Sequence, residues 1–162
     1  MTINTAYNQL LYQLYELYDD REAANIADWV IEFITNQKRV DRIIYKNIPL
    51  NEAQVKQLQD FTDALLQHQP VQYVLHEAWF ATMKFYVDDS VLIPRPETEE
   101  LVMLVASCQL PVTGNKLQIL DIGTGSGCIP IALKKKLPIA EITAVDISEN
   151  ALAIAINNVK FS

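Results

Sequence analysis

The segment Leu117-Gln118-Ile119-Leu120-Asp121-Ile122-Gly123-Thr124-Gly125-Ser126-Gly127-Cys128 joins an apolar run to a glycine-rich turn. A short apolar run that stops at glycines is typical of a strand buried on both faces of a sheet. Alternate glycines let the backbone turn tightly and approach a ligand, because no Cβ intervenes. The helix that follows points free N–H groups at such a ligand. The segment therefore predicts the first half of a cofactor site, centred on a glycine turn (residues 123–127).

A carboxylate, Asp146, ends the next apolar segment, residues 141–146. That place, roughly 20 residues after the turn, usually holds the acidic group that accepts both ribose hydroxyls of a nucleotide-type cofactor. A dinucleotide site needs its third glycine at the position of Cys128. The spacing found here is instead typical of methyltransferases that use S-adenosylmethionine, and Asp121 adds a negative group suited to that cation. A plain strand-to-helix turn, with Asp146 as a helix-start residue, is the alternative.

Composition narrows the class of protein. The chain has 162 residues, half of them apolar, and a net charge of −7. The acidic balance disfavours direct nucleic-acid binding, which usually needs a basic face. Cys108 and Cys128 lie in apolar contexts and predict buried free thiols in a reducing compartment. No signal-peptide pattern and no apolar stretch of about 18 residues occur, so we expect a cytoplasmic protein without a membrane span.

Residues 1–68 predict a small helical bundle. Apolar residues at helical spacing predict a first helix over residues 4–19. A second helix is expected to begin with Asp20 as its N-cap, and its apolar stripe includes Phe33. A short basic helix is expected over residues 38–46. The fourth helix begins with the capping-box pair Asn51 and Gln54 and is closed by Pro70.

Residues 69–96 predict a hairpin linker. Residues 77–87 are rich in aromatic and β-branched residues and predict two strands with a turn near Ala81 and Thr82. Two prolines in the segment Pro94-Arg95-Pro96 then fix an extended turn.

Residues 97–162 predict the first part of a Rossmann-like methyltransferase domain, so that the fold class is α/β. The expected elements are a helix over residues 97–109, a loop over residues 110–116, a strand over residues 117–122, a helix ended by Pro138, a strand over residues 141–146 and a helix over residues 149–160 capped by Ser148.

Three motifs together resemble the HemK/PrmC family of protein methyltransferases. They are Gln69-Pro70-Val71-Gln72-Tyr73, Ile93-Pro94-Arg95-Pro96-Glu97-Thr98-Glu99 and residues 120–128. Members of this family methylate a glutamine side-chain nitrogen in peptide-chain release factors, with S-adenosylmethionine as the methyl donor. The resemblance covers the whole chain, because the order of helical domain, hairpin linker, proline-arginine segment and methyltransferase core also matches.

The resemblance implies particular site residues. Cofactor contacts are implied at Gly123, Thr124, Gly125, Ser126, Gly127 and Asp146, with Asp121 beside them. Arg95, Pro96 and Glu97 are implied to line the site near the methionyl group or the substrate glutamine. A release factor is the implied protein partner, and residues 1–68 would be its docking domain.

Two features depart from the family pattern. His76 stands where the family often has a glycine, three residues after Tyr73, which leaves the conformation of that turn open. The family's catalytic Asn-Pro-Pro-Tyr, which follows a later strand, does not occur in the 162 residues. We therefore expect an N-terminal portion of a longer enzyme, with no catalytic residue and no activity of its own. The exposed edges of its sheet could drive self-association.

Other functions stay open at this stage. An amino-methyltransferase acting on nucleic-acid bases shares the same core logic, and a release-factor-binding module without catalysis would need only residues 1–68. A nicotinamide-dependent dehydrogenase is disfavoured by Cys128 at the third-glycine position. His68 and His76 are expected to be surface or packing residues. No metal site is expected, because the chain has no Cys/His cluster.

Overall fold

The computed structural model describes residues 1–108 and 117–161, and it divides into two compact units, Met1–Leu75 and His76–Ser162. The division falls inside the stretch of residues 69–96 that the sequence predicts as a linker. The loop expected over residues 110–116 lies outside the described residues. The helix expected over residues 97–109 ends earlier, at Ser107.

The first unit is helical. Its helices are α1 (Ile3–Leu14), α2 (Asp20–Thr35), α3 (Arg39–Ile44), α4 (Glu52–Leu66) and α5 (Val71–Leu75). The core forms where α1, α2, α4 and α5 turn their apolar stripes toward one another, with Leu10, Leu14, Val30, Ile31 and Leu65 almost fully buried. Apolar residues three and four positions apart lie on one side of a helix, which explains why this sequence packs as a bundle.

Helix caps in this unit follow the sequence closely, with one shift. The capping box is confirmed, since the Asn51 side chain accepts from the Gln54 N–H and the Gln54 side chain accepts from the Asn51 N–H. The cap of α2 is Asp19 rather than Asp20, because its carboxylate accepts the N–H groups of the second and third helical residues, Arg21 and Glu22. The prediction that Phe33 lies on the buried stripe of α2 is wrong. Phe33 is 39% exposed and packs edge-on against Phe61.

The second unit begins with an antiparallel hairpin of β1 (Ala78–Phe80) and β2 (Met83–Phe85), in which Phe80 pairs with Met83. The predicted turn at Ala81 and Thr82 is confirmed, and both residues have positive φ angles of 49° and 64°. Two successive positive φ angles match the twist of a tight hairpin, although glycine or asparagine usually supplies them.

The rest of this unit contains a parallel pair of strands with helices. Its elements are α6 (Pro96–Ser107), β3 (Gln118–Ile122), α7 (Cys128–Lys136), β4 (Glu141–Val145) and α8 (Glu149–Phe161). The two strands run parallel in register from the pair Gln118 and Glu141 to the pair Ile122 and Val145. Helices combined with a parallel strand pair confirm the predicted α/β class.

The prediction that β3 is buried on both faces is wrong for the described residues. Ile119 and Ile142 pack into the core of the second unit with α7, whereas Leu120 and Ile122 are 60% and 77% exposed. Alternate side chains of a strand point to opposite faces, so one face of the strand pair is covered and the other is open. Cys128 is buried as predicted, but Cys108 is exposed at the end of α6.

No helix in the described part of the chain is both long and apolar enough to cross a membrane.

Candidate cofactor-binding site

The glycine turn is attached to the end of β4 by backbone hydrogen bonds. The N–H groups of Gly123 and Thr124 both donate to the carbonyl of Val145, at 2.8 and 3.0 Å. Carboxyl ends of neighbouring parallel strands meet at one edge of a sheet, which is where ligands bind in open α/β sheets. The residue after Val145 is Asp146, and these bonds therefore place its carboxylate beside the turn.

Asp146 holds the turn through its side chain. One carboxylate oxygen accepts the Gly125 N–H at 2.8 Å, and the other accepts the Ser148 N–H at 3.0 Å. The Ser148 and Gly125 N–H groups hold the pKa of Asp146 below its ordinary value, since they stabilise the charged form. A carboxylate has about four lone-pair sites. Asp146 therefore keeps capacity for the two hydroxyl groups of a ribose while it orders the turn.

The three glycines of the turn all have positive φ angles, of 79°, 54° and 78°, but they serve different purposes. A Cβ added to Gly123 or Gly125 would meet no atom within 4 Å. Their backbone thus borders open space, which a ligand can approach closely. A Cβ on Gly127 would lie 3.1 Å from the Cβ of Ala155, so this glycine permits close packing of α8.

Most N–H groups of the glycine turn are already hydrogen-bonded and do not point freely at a ligand. Those of Gly123, Thr124, Gly125 and Gly127 all donate to acceptors within the protein. Pro130, in the first turn of α7, has no N–H to offer. The expectation of free donors at the helix start therefore applies only to the N–H groups of Cys128 and Ile129, at the start of α7. A phosphate, which needs several such donors, is poorly served here.

Two buried polar atoms at the turn lack a partner among the described residues. They are Oδ2 of Asp121, on β3, and Oγ1 of Thr124. Buried polar atoms are nearly always hydrogen-bonded, so each marks a place where a polar ligand or water completes the site. This observation fits a cofactor with hydrogen-bond donors at the sequence-predicted position.

Cys128 begins α7 next to the turn. Burial raises the pKa of its thiol, and the nearby Asp121 carboxylate adds to the effect. The thiol therefore stays protonated near neutral pH and packs as a small apolar group, which excludes it as an activated nucleophile.

The residues predicted to line the substrate side lie elsewhere in the second unit. Arg95, Pro96 and Glu97 form the exposed start of α6, where Arg95 is the N-cap without a side-chain hydrogen bond. Among the described residues, no hydrogen bond or ion pair joins these three to the turn or to Asp146. The structure thus brings together Asp121, residues 123–127 and Asp146, and leaves the substrate-side assignment as a prediction.

A cavity of about 600 Å³ borders the turn at Thr124 and Gly127. Its lining includes Thr124 and Gly127 of the turn, mostly apolar residues of β2, α7, β4 and α8, and the side chains of Lys134 and Lys135. Neither Asp121 nor Asp146 lines it. The Asp146 carboxylate and this cavity are therefore separate features of the second unit.

Sequence reasoning missed one residue at the site. Asn158 of α8 is 2% exposed and donates to the carbonyl of Ser126 at 2.9 Å, within the glycine turn. It lies four residues after Ile154 and seven after Ala151, on the buried stripe of the helix. A polar residue on the apolar stripe of a helix needs a buried hydrogen-bond partner, so this pattern in the sequence could have indicated a role for Asn158.

Comparison with known proteins supports the resemblance found in the sequence. Residues 6–75 match the family model described as PrmC N-terminal domain, and residues 103–162 match the model described as methyltransferase small domain. Both matches follow the order of domains that the HemK/PrmC resemblance predicts. The glycine turn and Asp146 both lie in the part that matches the methyltransferase domain.

Curated relatives in this family carry the name release factor glutamine methyltransferase. The protein from Flavobacterium psychrophilum is 40% identical over 159 residues, which are 98% of this chain and 56% of the relative. The protein from Streptococcus pneumoniae is 40% identical over 146 residues, 90% of this chain and 51% of the relative. The protein from Chlorobaculum tepidum is 48% identical over 139 residues, 82% of this chain and 46% of the relative. The chain thus spans about half the length of these relatives.

Proposed function

We propose that this chain carries the S-adenosylmethionine-binding half-site of an enzyme that methylates a glutamine side-chain amide in a peptide-chain release factor. The hydrogen bond from Gly125 to Asp146 carries the proposal, because it joins the glycine turn to the ribose-binding carboxylate. The names of the relatives support the choice of release factor as substrate.

Charge at the site favours this cofactor over a dinucleotide. Asp121 and Asp146 place two carboxylates around the turn, while the N–H groups of Gly123, Thr124 and Gly125 are engaged inside the protein. A pyrophosphate would meet negative charge with few donors, whereas a sulfonium cation and neutral ribose hydroxyls would meet acceptors. The same argument disfavours the nicotinamide-dependent alternative.

Each site residue has a proposed task. Asp146 accepts the ribose hydroxyls, and the bare backbone at Gly123 and Gly125 admits the cofactor at close range. Asp121 and Thr124 supply the unpaired buried oxygens that complete its polar contacts. When bound, S-adenosylmethionine supplies an electrophilic methyl group on a positively charged sulfur. We assign Arg95, Pro96 and Glu97 to the substrate side of the site.

The first unit is the proposed docking domain for the release factor, over residues 1–68, with residues 69–96 as hairpin linker and residues 97–162 as the cofactor domain. We place the protein in the cytoplasm, where release factors act, and assign it no direct contact with nucleic acid. Self-association through the exposed edges of the sheet is also part of this proposal.

A chimeric enzyme tests the proposed function. Residues 1–162 would replace the matching part of the Flavobacterium psychrophilum relative, and the product would be incubated with release factor and S-adenosylmethionine carrying a tritiated methyl group. We expect label on a release-factor glutamine, located by mass spectrometry. Label on DNA or RNA instead would favour the base-methyltransferase alternative. A chimera that binds the cofactor and the release factor but transfers no methyl group would contradict the proposed substrate.

A further inference from the structure

Asn158 connects two parts of the second unit that are distant in sequence. Its side-chain amide donates to the carbonyl of Tyr86 at 3.0 Å and to the carbonyl of Ser126 at 2.9 Å. Its Oδ1 accepts the Tyr86 N–H at 2.8 Å. An asparagine amide has two N–H donors, so both are engaged by these carbonyls.

The two bonds to Tyr86 imitate a neighbouring strand. Tyr86 directly follows β2, and a single side-chain amide pairs both its N–H and its C=O, as a peptide unit in a sheet would. The hairpin segment is therefore fixed to α8 by a group whose own position is set within a helix.

The bond to Ser126 fixes the glycine turn to the same helix. Ser126 lies between Gly125 and Gly127 and is 2% exposed, so its carbonyl is removed from water and needs this donor. Ala155 of α8, three residues before Asn158, packs against Gly127. A Cβ at position 127 would lie only 3.1 Å from the Cβ of Ala155, so this packing favours glycine. Residues three apart share one side of a helix, so α8 holds the turn at two adjacent points.

We propose that Asn158 is a positioning residue for the cofactor, which sets the glycine turn through the Ser126 carbonyl and couples its geometry to the hairpin segment at Tyr86. The part of this inference that concerns the cofactor rests on the proposed function, whereas the part that concerns the turn does not.

The chain offers a closely matched pair of variants. Asn158→Asp keeps the acceptor for the Tyr86 N–H but replaces both donors by a carboxylate that faces two carbonyls. Asn157→Asp makes the same chemical change one residue earlier on the same helix, at a half-buried position. Val102→Ala, in the apolar core of the second unit, supplies a variant destabilised without any change at the turn.

The first measurement is made without cofactor, by NMR of the backbone amides of Gly125, Ser126 and Gly127. We expect Asn158→Asp to shift these resonances and to speed their hydrogen exchange at least tenfold, while Asn157→Asp leaves them unchanged. Equal spectra for the two variants would overturn the positioning role, whatever the chain binds.

The second measurement is the Kd for S-adenosylmethionine under conditions in which every variant is folded. We expect at least a tenfold increase for Asn158→Asp and less than a twofold change for Asn157→Asp and Val102→Ala. If Val102→Ala weakens binding as much as Asn158→Asp, Asn158 acts only through stability and the proposal is wrong. No binding by the unaltered chain would count against the proposed function, and the turn measurement would still decide the positioning role.

If Asn158→Asp does not fold, the unaltered chain provides the test. The side-chain amide protons of Asn158 should exchange slowly and shift when S-adenosylmethionine is added, because the turn they hold is ordered by the cofactor. Rapid exchange of these protons would overturn the proposal.

Discussion

The imidazole of His76 stacks on the ring of Tyr86, with centroids 5.2 Å apart and planes inclined by 11°. The Nδ1 atom of His76 also lies 3.2 Å from the carbonyl oxygen of Val87. These contacts hold a residue whose φ angle is +52°, in the left-handed region that favours glycine. His76 therefore adopts a backbone conformation suited to glycine and is anchored there by its side chain.

Replacement of His76 should separate backbone strain from side-chain contacts. Both His76→Gly and His76→Ala lose the stack and the contact to Val87, but only alanine retains the unfavourable φ angle. We expect His76→Ala to be less stable than His76→Gly by about 1 kcal/mol in urea unfolding. Equal stability of the two variants, or greater stability of His76→Ala, would show that the left-handed conformation is relaxed in solution.

An added methyl group should lower the free energy of unfolding more at Gly127 than at Gly123. Gly123→Ala adds only backbone strain, which costs about 1–2 kcal/mol. Gly127→Ala adds the same strain and a contact with the Ala155 Cβ at 3.1 Å, so we expect a further loss of about 1–3 kcal/mol in the free energy of unfolding.

A double mutant isolates that contact. Ala155→Gly removes the opposing methyl group and should recover part of the stability lost in Gly127→Ala, which a double-mutant cycle by urea unfolding would measure. Additive effects of the two changes would mean that α8 does not press on the turn at Gly127.

The hydrogen bonds that Asp146 accepts should be visible in its acid titration. The Ser148 and Gly125 N–H groups lower the pKa of Asp146 in the folded protein. The carboxylate therefore stabilises the fold fully at pH values above its pKa in the unfolded chain, and this stabilisation is lost as the pH falls through its lower pKa in the folded protein. We expect the amide resonances of Gly125 and Ser148 to titrate with a midpoint below 3.8, the ordinary value for Asp146. Asp146→Asn should abolish this transition. A midpoint at or above 3.8 would contradict the hydrogen bonds.

The sequence predicted local features well because their causes are local. The capping box of Asn51 and Gln54 and the turn at Ala81 and Thr82 each depend on residues within a few positions of one another. The glycine turn and Asp146 could be paired from their spacing, since a strand–helix–strand unit has a limited range of lengths.

Features that depend on tertiary packing escaped prediction. Asn158 meets Tyr86 across 72 residues, and no sequence pattern states which buried carbonyl a helical asparagine will reach. The exposure of Leu120 and Ile122 likewise depends on which elements cover each face of the strand pair, whereas their apolar character alone suggested burial. The N–H groups of Gly123 and Thr124 are engaged because Val145 lies beside them, which only the register of the strands reveals.

Binding of S-adenosylmethionine by the 162-residue chain tests the central claim most directly, with Asp146→Asn as the probe and Asp89→Asn, an exposed carboxylate of the same unit, as the control. We predict that an NMR titration will show weak but saturable binding that shifts the amides of Gly123 and Gly125, that Asp146→Asn will weaken it at least tenfold, and that Asp89→Asn will not. Saturable binding that is equally strong in Asp146→Asn, or no binding at all, would contradict the assignment of the glycine turn and Asp146 as the cofactor site.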